Sequence, residues 1–162
     1  MFEQTGIPSR EMVLDKFPSI NRINNGPVAV VECYKKIPCN PCQTACKFDA
    51  ITVGEDINNI PDVNVDNCTG CAICVSKCPG LAIMVVDGSK SNDTVLMRIP
   101  YEFLPLPEEG KIVKGLGREG NYLTDVKVIK VSNPKSFDRT PVVTVEVDRN
   151  YMYDFRNIKV EV

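Results

Sequence analysis

Four closely spaced cysteines constrain this chain more than any other feature of its sequence. Cys68, Cys71, Cys74 and Cys78 are separated by two, two and three residues, and Pro79 follows the last of them. Two-residue gaps in a short loop allow three thiolates to point inward at one centre, while the fourth ligand of that centre arrives from elsewhere in the chain. The spacing therefore predicts a loop wrapped around a metal centre with several thiolate ligands.

The same spacing occurs earlier in the chain. Three cysteine pairs are each separated by 32 residues, namely Cys39 and Cys71, Cys42 and Cys74, and Cys46 and Cys78. Apolar residues recur at the same interval, with Ala50, Ile51 and Val53 matching Ala82, Ile83 and Val85. This agreement indicates an internal duplication.

The two repeats differ at two positions. The interval of 32 residues places Cys33 opposite Val65 rather than Cys68, so the first loop is three residues longer. Lys47 also stands where the second repeat has Pro79. The longer loop can still bring Cys33 to the centre, because three extra residues raise the entropic cost of closing the loop by only about a few tenths of a kcal/mol.

Together, the two cysteine groups resemble the bacterial two-cluster ferredoxins. In that family the fourth cysteine of each run binds the cluster of the other run. The resemblance implies two [4Fe–4S] clusters with the ligand sets Cys33, Cys39, Cys42 and Cys78 (the first set) and Cys68, Cys71, Cys74 and Cys46 (the second set). If Cys33 does not bind, the first site is a three-cysteine [3Fe–4S] cluster or an iron with a foreign ligand.

Two other uses of eight cysteines are disfavoured. Disulfide frameworks belong to secreted chains, and the charged residues within positions 1–20 do not suit a signal peptide. Structural zinc prefers separated pairs of cysteines, often with histidine, and this chain contains no histidine.

Sequence patterns divide the chain into three parts. Residues 1–27 are predicted to form an N-terminal docking arm, with a short helix capped by Ser9 and stopped by Pro18. Residues 28–90 are predicted to form an α+β ferredoxin-like dicluster domain with pseudo-twofold symmetry, in which a strand precedes each cysteine run and a helix and a return strand follow. Its expected core residues are Ile51, Ile73, Ile83 and Val85.

Residues 91–162 contain no cysteine and show the alternation of β strands. Segments 111–113, 125–131, 142–147 and 158–162 alternate apolar and polar residues, which predicts a small all-β antiparallel barrel or sandwich behind a stiff linker at 100–107. Gly115, Gly117 and Gly120 match a dinucleotide-binding motif, but a strand rather than a helix is expected to follow, so we predict a hairpin turn. Arg118 and Glu119 at its tip are expected to be solvated.

Composition excludes several classes of function. A net charge of −2 does not suit a nucleic-acid partner, and the sequence has no apolar stretch near the ~20 residues of a membrane span. We therefore expect a cytoplasmic protein.

The sequence shows no group of residues suited to general acid–base catalysis, and all eight cysteines are expected to bind clusters. We therefore expect a chain that transfers single electrons and is not catalytic by itself.

The additional parts of the chain favour a fixed subunit of a multi-subunit flavin-dependent oxidoreductase. Segment 26–42 resembles the ferredoxin-like subunits of FAD-containing amino-acid dehydrogenases of anaerobic bacteria, which act on proline, hydroxyproline or related substrates. The resemblance implies FAD-bearing flavoprotein subunits, and further iron–sulfur subunits, as partners. A freely diffusing low-potential ferredoxin and a non-redox, metal-stabilised scaffold remain as alternatives.

Overall fold

The computed structural model describes residues 2–161. Its α helices are all short, and they are α1 (Phe2–Thr5), α2 (Arg10–Lys16), α3 (Ile20–Asn24), α4 (Pro41–Ala45) and α5 (Ile73–Lys77). The strands are β1 (Val28–Val31), β2 (Ile51–Thr52), β3 (Asp62–Val63), β4 (Ile83–Asp87), β5 (Thr94–Pro100), β6 (Ile112–Gly117), β7 (Tyr122–Ser132), β8 (Val142–Asp148) and β9 (Phe155–Lys159). Within the described residues, no helix has the length and apolar character needed to cross a bilayer.

One antiparallel sheet dominates the fold. Its seven strands lie in the order β1-β4-β5-β8-β7-β6-β9, and β2 and β3 form a separate hairpin-like pair. The predicted α+β class is confirmed at this level, since helices accompany a large antiparallel sheet. The barrel or sandwich expected for residues 91–162 is instead continuous with β1 and β4, because β4 pairs with β5 through Val85 and Arg98 and through Val86 and Met97. The predicted division at residue 90 remains a prediction, and the sheet crosses it.

Strands β1 and β4 have apolar layers on both faces. Val28, Val30, Met84 and Val86 face the large core of the sheet, whereas Ala29, Val31, Ile83 and Val85 face a second core that contains the cysteines. A strand covered on both sides is expected to be an unbroken apolar run, and the sequence of β1 is Val-Ala-Val-Val. These two strands therefore join the cysteine layer to the rest of the molecule.

The large sheet curves so that its two edges share one core. Side chains from the edge strands β1 and β9, among them Val28 and Phe155, belong to the same buried cluster. Register shifts between Gly115 and Leu116 and between Val128 and Lys130 interrupt the ladders of β6 and β7. Such bulges bend a strand and increase its twist, which is consistent with the curvature.

The N-terminal segment packs onto this core. Helix α2 begins after Ser9, whose hydroxyl accepts the Met12 N–H at 3.2 Å, and it ends before Pro18 as the sequence predicts. Helix α3, which the sequence patterns above do not predict, is capped in the same way by Ser19 and contributes the fully buried Ile23 to the large core. Residues 10–24 are therefore integral to the fold.

The glycine motif forms a turn. Strand β6 ends at Gly117, Gly120 adopts a φ of 77°, and β7 begins at Tyr122. A helix, which a dinucleotide site would require, does not follow the glycines. The predicted hairpin is confirmed.

Candidate metal centre

Each cysteine run consists of a loop followed by a short helix. Cys42 lies on α4 and Cys46 caps the C-terminus of that helix, whereas Cys74 lies on α5 and Cys78 caps its C-terminus. Helices α4 and α5 pack against each other. The equivalent placement of the two runs agrees with the 32-residue duplication in the sequence.

Four cysteines line one cavity between the runs. They are Cys68, Cys71 and Cys74 from the second run and Cys46 from the first. The other walls are largely apolar, and Ala29, Ala50, Ile51, Ile73, Val85 and Phe48 contribute to them. The structure thus brings together the four side chains predicted as the second set, including the one that crosses from the other run.

The four thiols of the first set also lie close together. Burial raises the pKa of Cys33, and the neighbouring Cys78 and Cys39 thiols raise it further. Burial likewise raises the pKa of Cys42, and the same two cysteines add to the effect. Such electrostatic effects require proximity, so Cys78 of the second run is a neighbour of Cys33 and Cys42 of the first.

The two sets adjoin each other at Cys74. Burial is the main cause that raises the pKa of this thiol to about 12, followed by Cys68, Cys71, Cys46 and Cys42. The first three of these neighbours belong to the same predicted set as Cys74, whereas Cys42 belongs to the other. The thiols of both sets therefore interact across the α4–α5 contact.

Backbone N–H groups donate to three of the sulfur atoms. The Ala50 N–H lies 3.4 Å from Cys46 Sγ, and the Ala82 N–H lies at the same distance from Cys78 Sγ. These two contacts are equivalent in the duplication, and the residues before the donors, Asp49 and Leu81, both have a left-handed φ of 51°. The Ala29 N–H donates to Cys68 Sγ at 3.4 Å. Hydrogen bonds to sulfur are one of the means by which proteins set the potential of an iron–sulfur cluster.

The donor set fits a cluster better than a single ion. Among residues 2–161, no three His, Cys, Asp or Glu side chains are placed to hold one metal ion. A [4Fe–4S] cluster needs wider spacing, because each thiolate binds a different iron atom. The second set offers four thiols around a largely apolar cavity, with N–H groups directed at sulfur, which are donors suited to such a cluster.

Arginines from outside the cysteine region hold the loop of the second set. Arg22 Nη2 donates to the Cys68 carbonyl oxygen and Arg22 Nε to the Val65 carbonyl oxygen, both at 2.7 Å. Arg98 on β5 donates to the Gly70 carbonyl oxygen. Neither arginine is predicted from the sequence, since an isolated arginine carries no local signal of a distant partner.

Gly70 allows this loop to approach the backbone before β1. It has a φ of 65°, and a Cβ atom at this position would lie 2.4 Å from Pro27 Cβ and 2.6 Å from the Pro27 carbonyl carbon. Only glycine combines this backbone conformation with so close a contact. The position of Cys68 and Cys71 therefore depends on Gly70.

The longer loop of the first set is held by the N-terminal segment and by the C-terminal strands. The rings of Phe2 and Tyr34 meet edge to face with centroids 5.4 Å apart, and Lys35 Nζ lies 2.7 Å from Glu3 Oε2. Glu32, directly before Cys33, pairs with Arg118 and Arg156. The predicted solvation of Arg118 is wrong, because the hairpin tip folds back and leaves its side chain only 12% exposed, whereas Glu119 is exposed as expected.

Comparison with known proteins finds matches confined to the cysteine-rich region or to a short segment. The 4Fe-4S binding domain family matches residues 61–84, which include Cys68, Cys71, Cys74 and Cys78 but none of the earlier cysteines. One component of the Na(+)-translocating ferredoxin:NAD(+) oxidoreductase complex of Acetobacterium woodii is 47% identical over 38 residues, which are 24% of this chain and 11% of that protein. No solved structure matches significantly. The chain thus spans only a small part of this relative, and the matches support a [4Fe–4S] cluster site and an electron-transfer role.

Proposed function

We propose that this chain is an electron-transfer subunit that relays single electrons through two [4Fe–4S] clusters. The first set, Cys33, Cys39, Cys42 and Cys78, would hold one cluster, and the second set, Cys68, Cys71, Cys74 and Cys46, would hold the other. When bound, each cluster supplies reversible one-electron chemistry with little change of geometry. The chain is not catalytic by itself in this proposal.

One observation carries the proposal. Cys46 lines the cavity of Cys68, Cys71 and Cys74, although it belongs to the earlier run. Each helix thereby connects the two sets, because α4 carries Cys42 at one end and is capped by Cys46 at the other, and α5 does the same with Cys74 and Cys78. The buried Ile51, Ile83 and Val85 and the half-buried Ile73 form an apolar wall beside this layer, although Cys71 itself is exposed. Adjacent, shielded redox centres are what a relay requires.

Exposed apolar side chains beside both sets favour a subunit that docks. Ile37, in the loop between Cys33 and Cys39, is 46% exposed. Phe48, two residues after Cys46, is 44% exposed and borders the cavity of the second set. Apolar groups next to redox centres suit contact with a partner protein, since they exclude water from the path of the electron. The short match to a component of an oxidoreductase complex agrees with this interpretation.

The proposed partners are FAD-bearing dehydrogenase subunits in the cytoplasm, together with further iron–sulfur subunits. The similarity of segment 26–42 to ferredoxin-like subunits of amino-acid dehydrogenases motivates this choice. Electrons would pass from the flavin of the partner to one cluster, then to the other, and then to an acceptor.

Anaerobic purification of the tagged chain from its native organism tests the assignment. Iron, sulfide and flavin are measured in the complex, and the substrate of the partner is then added under optical observation. We expect flavin-bearing chains to co-purify and their substrate to bleach the iron–sulfur absorbance. A monomer that carries iron but no flavin partner would contradict the subunit assignment and favour a diffusing ferredoxin.

A further inference from the structure

A buried group of three charged side chains lies beside the first cysteine set. Glu32 is 6% exposed, Arg118 is 12% exposed and Arg156 is 17% exposed. Arg118 Nε donates to Glu32 Oε2 at 3.1 Å, and Arg156 Nε lies 3.6 Å from the same oxygen. Arginine side chains are cations at neutral pH, so one carboxylate faces two cations and the formal charge of the group is +1 (−1 + 2).

This charged group is anchored near two predicted ligands of the first set, Cys33 and Cys78. Glu32 directly precedes Cys33, and its N–H donates to the Ala82 carbonyl oxygen at 2.8 Å. Arg156 Nη2 donates to the Leu81 carbonyl oxygen, next to the Ala82 N–H that binds Cys78 Sγ. Burial lowers the pKa of Arg156, whereas the neighbouring Glu32 and Cys78 raise it. Arg156 therefore binds the same Leu81–Ala82 peptide group whose N–H donates to Cys78 Sγ, which places its charge beside the first set.

The second set has a different arginine. Arg98 on β5 donates to the Gly70 carbonyl oxygen, within the loop between Cys68 and Cys71. Arg98 and Arg156 come from different strands of the large sheet and reach different cysteine loops. We therefore expect the charge of Arg156 to affect mainly the reduction potential of the first centre, and the charge of Arg98 mainly that of the second.

We propose that Arg156 selectively raises the reduction potential of the cluster held by the first set, and that Glu32 lowers it. This inference rests on the proposed function. Reduction adds one electron and therefore one negative charge to a cluster, with no bond formed or broken. A buried cation nearby stabilises the reduced form, and burial limits screening by salt. Arg156 on strand β9 would thus adjust the reduction potential of a cluster whose ligands lie within residues 33–78.

Redox titration with dithionite under anaerobic conditions, followed by EPR, tests this proposal. Arg156→Gln is expected to lower the reduction potential of one of the two clusters, which gives half of the reducible signal. The equilibrium constant for reduction of that cluster should fall at least threefold, which is about 28 mV for one electron. Glu32→Gln is expected to shift the same half upward, and Arg156→Lys to leave it near its original potential. Arg98→Gln serves as the matched control and should act on the other half, so that the Arg156→Gln/Arg98→Gln double variant shifts both.

A structural role for the charged group would give a different result. Loss of packing would alter Arg156→Gln, Glu32→Gln and Arg156→Lys in the same direction, and that outcome would overturn the inference while leaving the proposed function intact. Unshifted potentials in all three variants would do the same. If Arg156→Gln does not bind iron, the upward shift expected of Glu32→Gln and the near-unchanged potential expected of Arg156→Lys still decide the question. A wild-type protein without reducible clusters would instead refute the proposed function itself.

Discussion

Replacement of Gly70 by alanine should disturb one cysteine set and leave the other intact. The new methyl group would lie 2.4 Å from Pro27 Cβ and 2.7 Å from the Pro27 carbonyl oxygen, so the loop must move. A left-handed conformation costs a residue with a Cβ atom about 1–2 kcal/mol, and overpacking of a tight site adds about 1–3 kcal/mol. We therefore expect Gly70→Ala to destabilise the protein by roughly 2–5 kcal/mol.

The assay combines thermal unfolding of the iron-loaded protein at constant scan rate with iron analysis and EPR. For a chain of this length, each kcal/mol lowers the midpoint temperature by about 2–4 °C, so the expected decrease is roughly 4–20 °C. The displaced loop carries Cys68 and Cys71, so the cluster of the second set should be lost first.

Gly80 provides the matched control. It lies in the same cysteine-rich region, its φ is not positive, and a Cβ atom there would meet nothing within 4 Å. Gly80→Ala should therefore behave like the wild-type protein. Wild-type stability and full cluster content in Gly70→Ala would refute the argument that this close approach positions the second set.

Three further changes test other parts of the account. Cys33→Ala is expected to convert one cluster to a [3Fe–4S] form in EPR spectra and Cys68→Ala to damage the other, so an unchanged spectrum in the first variant would remove Cys33 from the ligand set. Met97→Ala empties a fully buried position on β5 and should destabilise the whole chain by about 2–5 kcal/mol in one unfolding transition; two separate transitions would show that the C-terminal strands unfold independently. A fragment of residues 1–92 lacks β5, which pairs with β4, and should bind less iron than the full chain, a prediction that equal iron content would contradict.

The sequence predicts much of the local structure because the relevant signals lie close together along the chain. Ser9 and Pro18 bound α2 as expected. Alternation identifies β7 and β8, whereas the predicted segments 111–113 and 158–162 overlap β6 and β9 only in part. The spacing of the cysteines, together with a family resemblance, also predicts which thiols lie near one another. In the structure Cys46 lines the cavity of the other run and Cys78 is a neighbour of Cys33, while the assignment of ligands to clusters stays a prediction.

The continuous sheet could not be read from local patterns. Strand β5 has a detectable signal, since Val95, Met97 and Ile99 alternate with Leu96 and Arg98, but its pairing with β4 and β8 depends on the tertiary fold. The same holds for the arginines. Arg118 lies 86 residues from Glu32 in sequence, and no pattern in the vicinity of either residue indicates that they pair.

The fold gives the segments outside the cysteine region a role in supporting the two sets. Arg22 from α3 and Arg98 from β5 bind carbonyl groups of one loop, and Arg118 and Arg156 pair with the residue before Cys33. These contacts are stronger than ordinary surface pairs because they are largely shielded from water. We therefore expect cluster binding and the stability of the sheet to be coupled.

The central claim is tested most directly by counting iron and acid-labile sulfide in anaerobically prepared protein. The reducible clusters in the same sample are quantified by EPR. The account predicts about eight iron atoms and eight sulfides per chain, with two centres that each accept one electron reversibly. About four iron atoms in a single reducible centre would show that the first set does not assemble a cluster. Zinc in place of iron, or iron that cannot be reduced reversibly, would contradict the relay altogether.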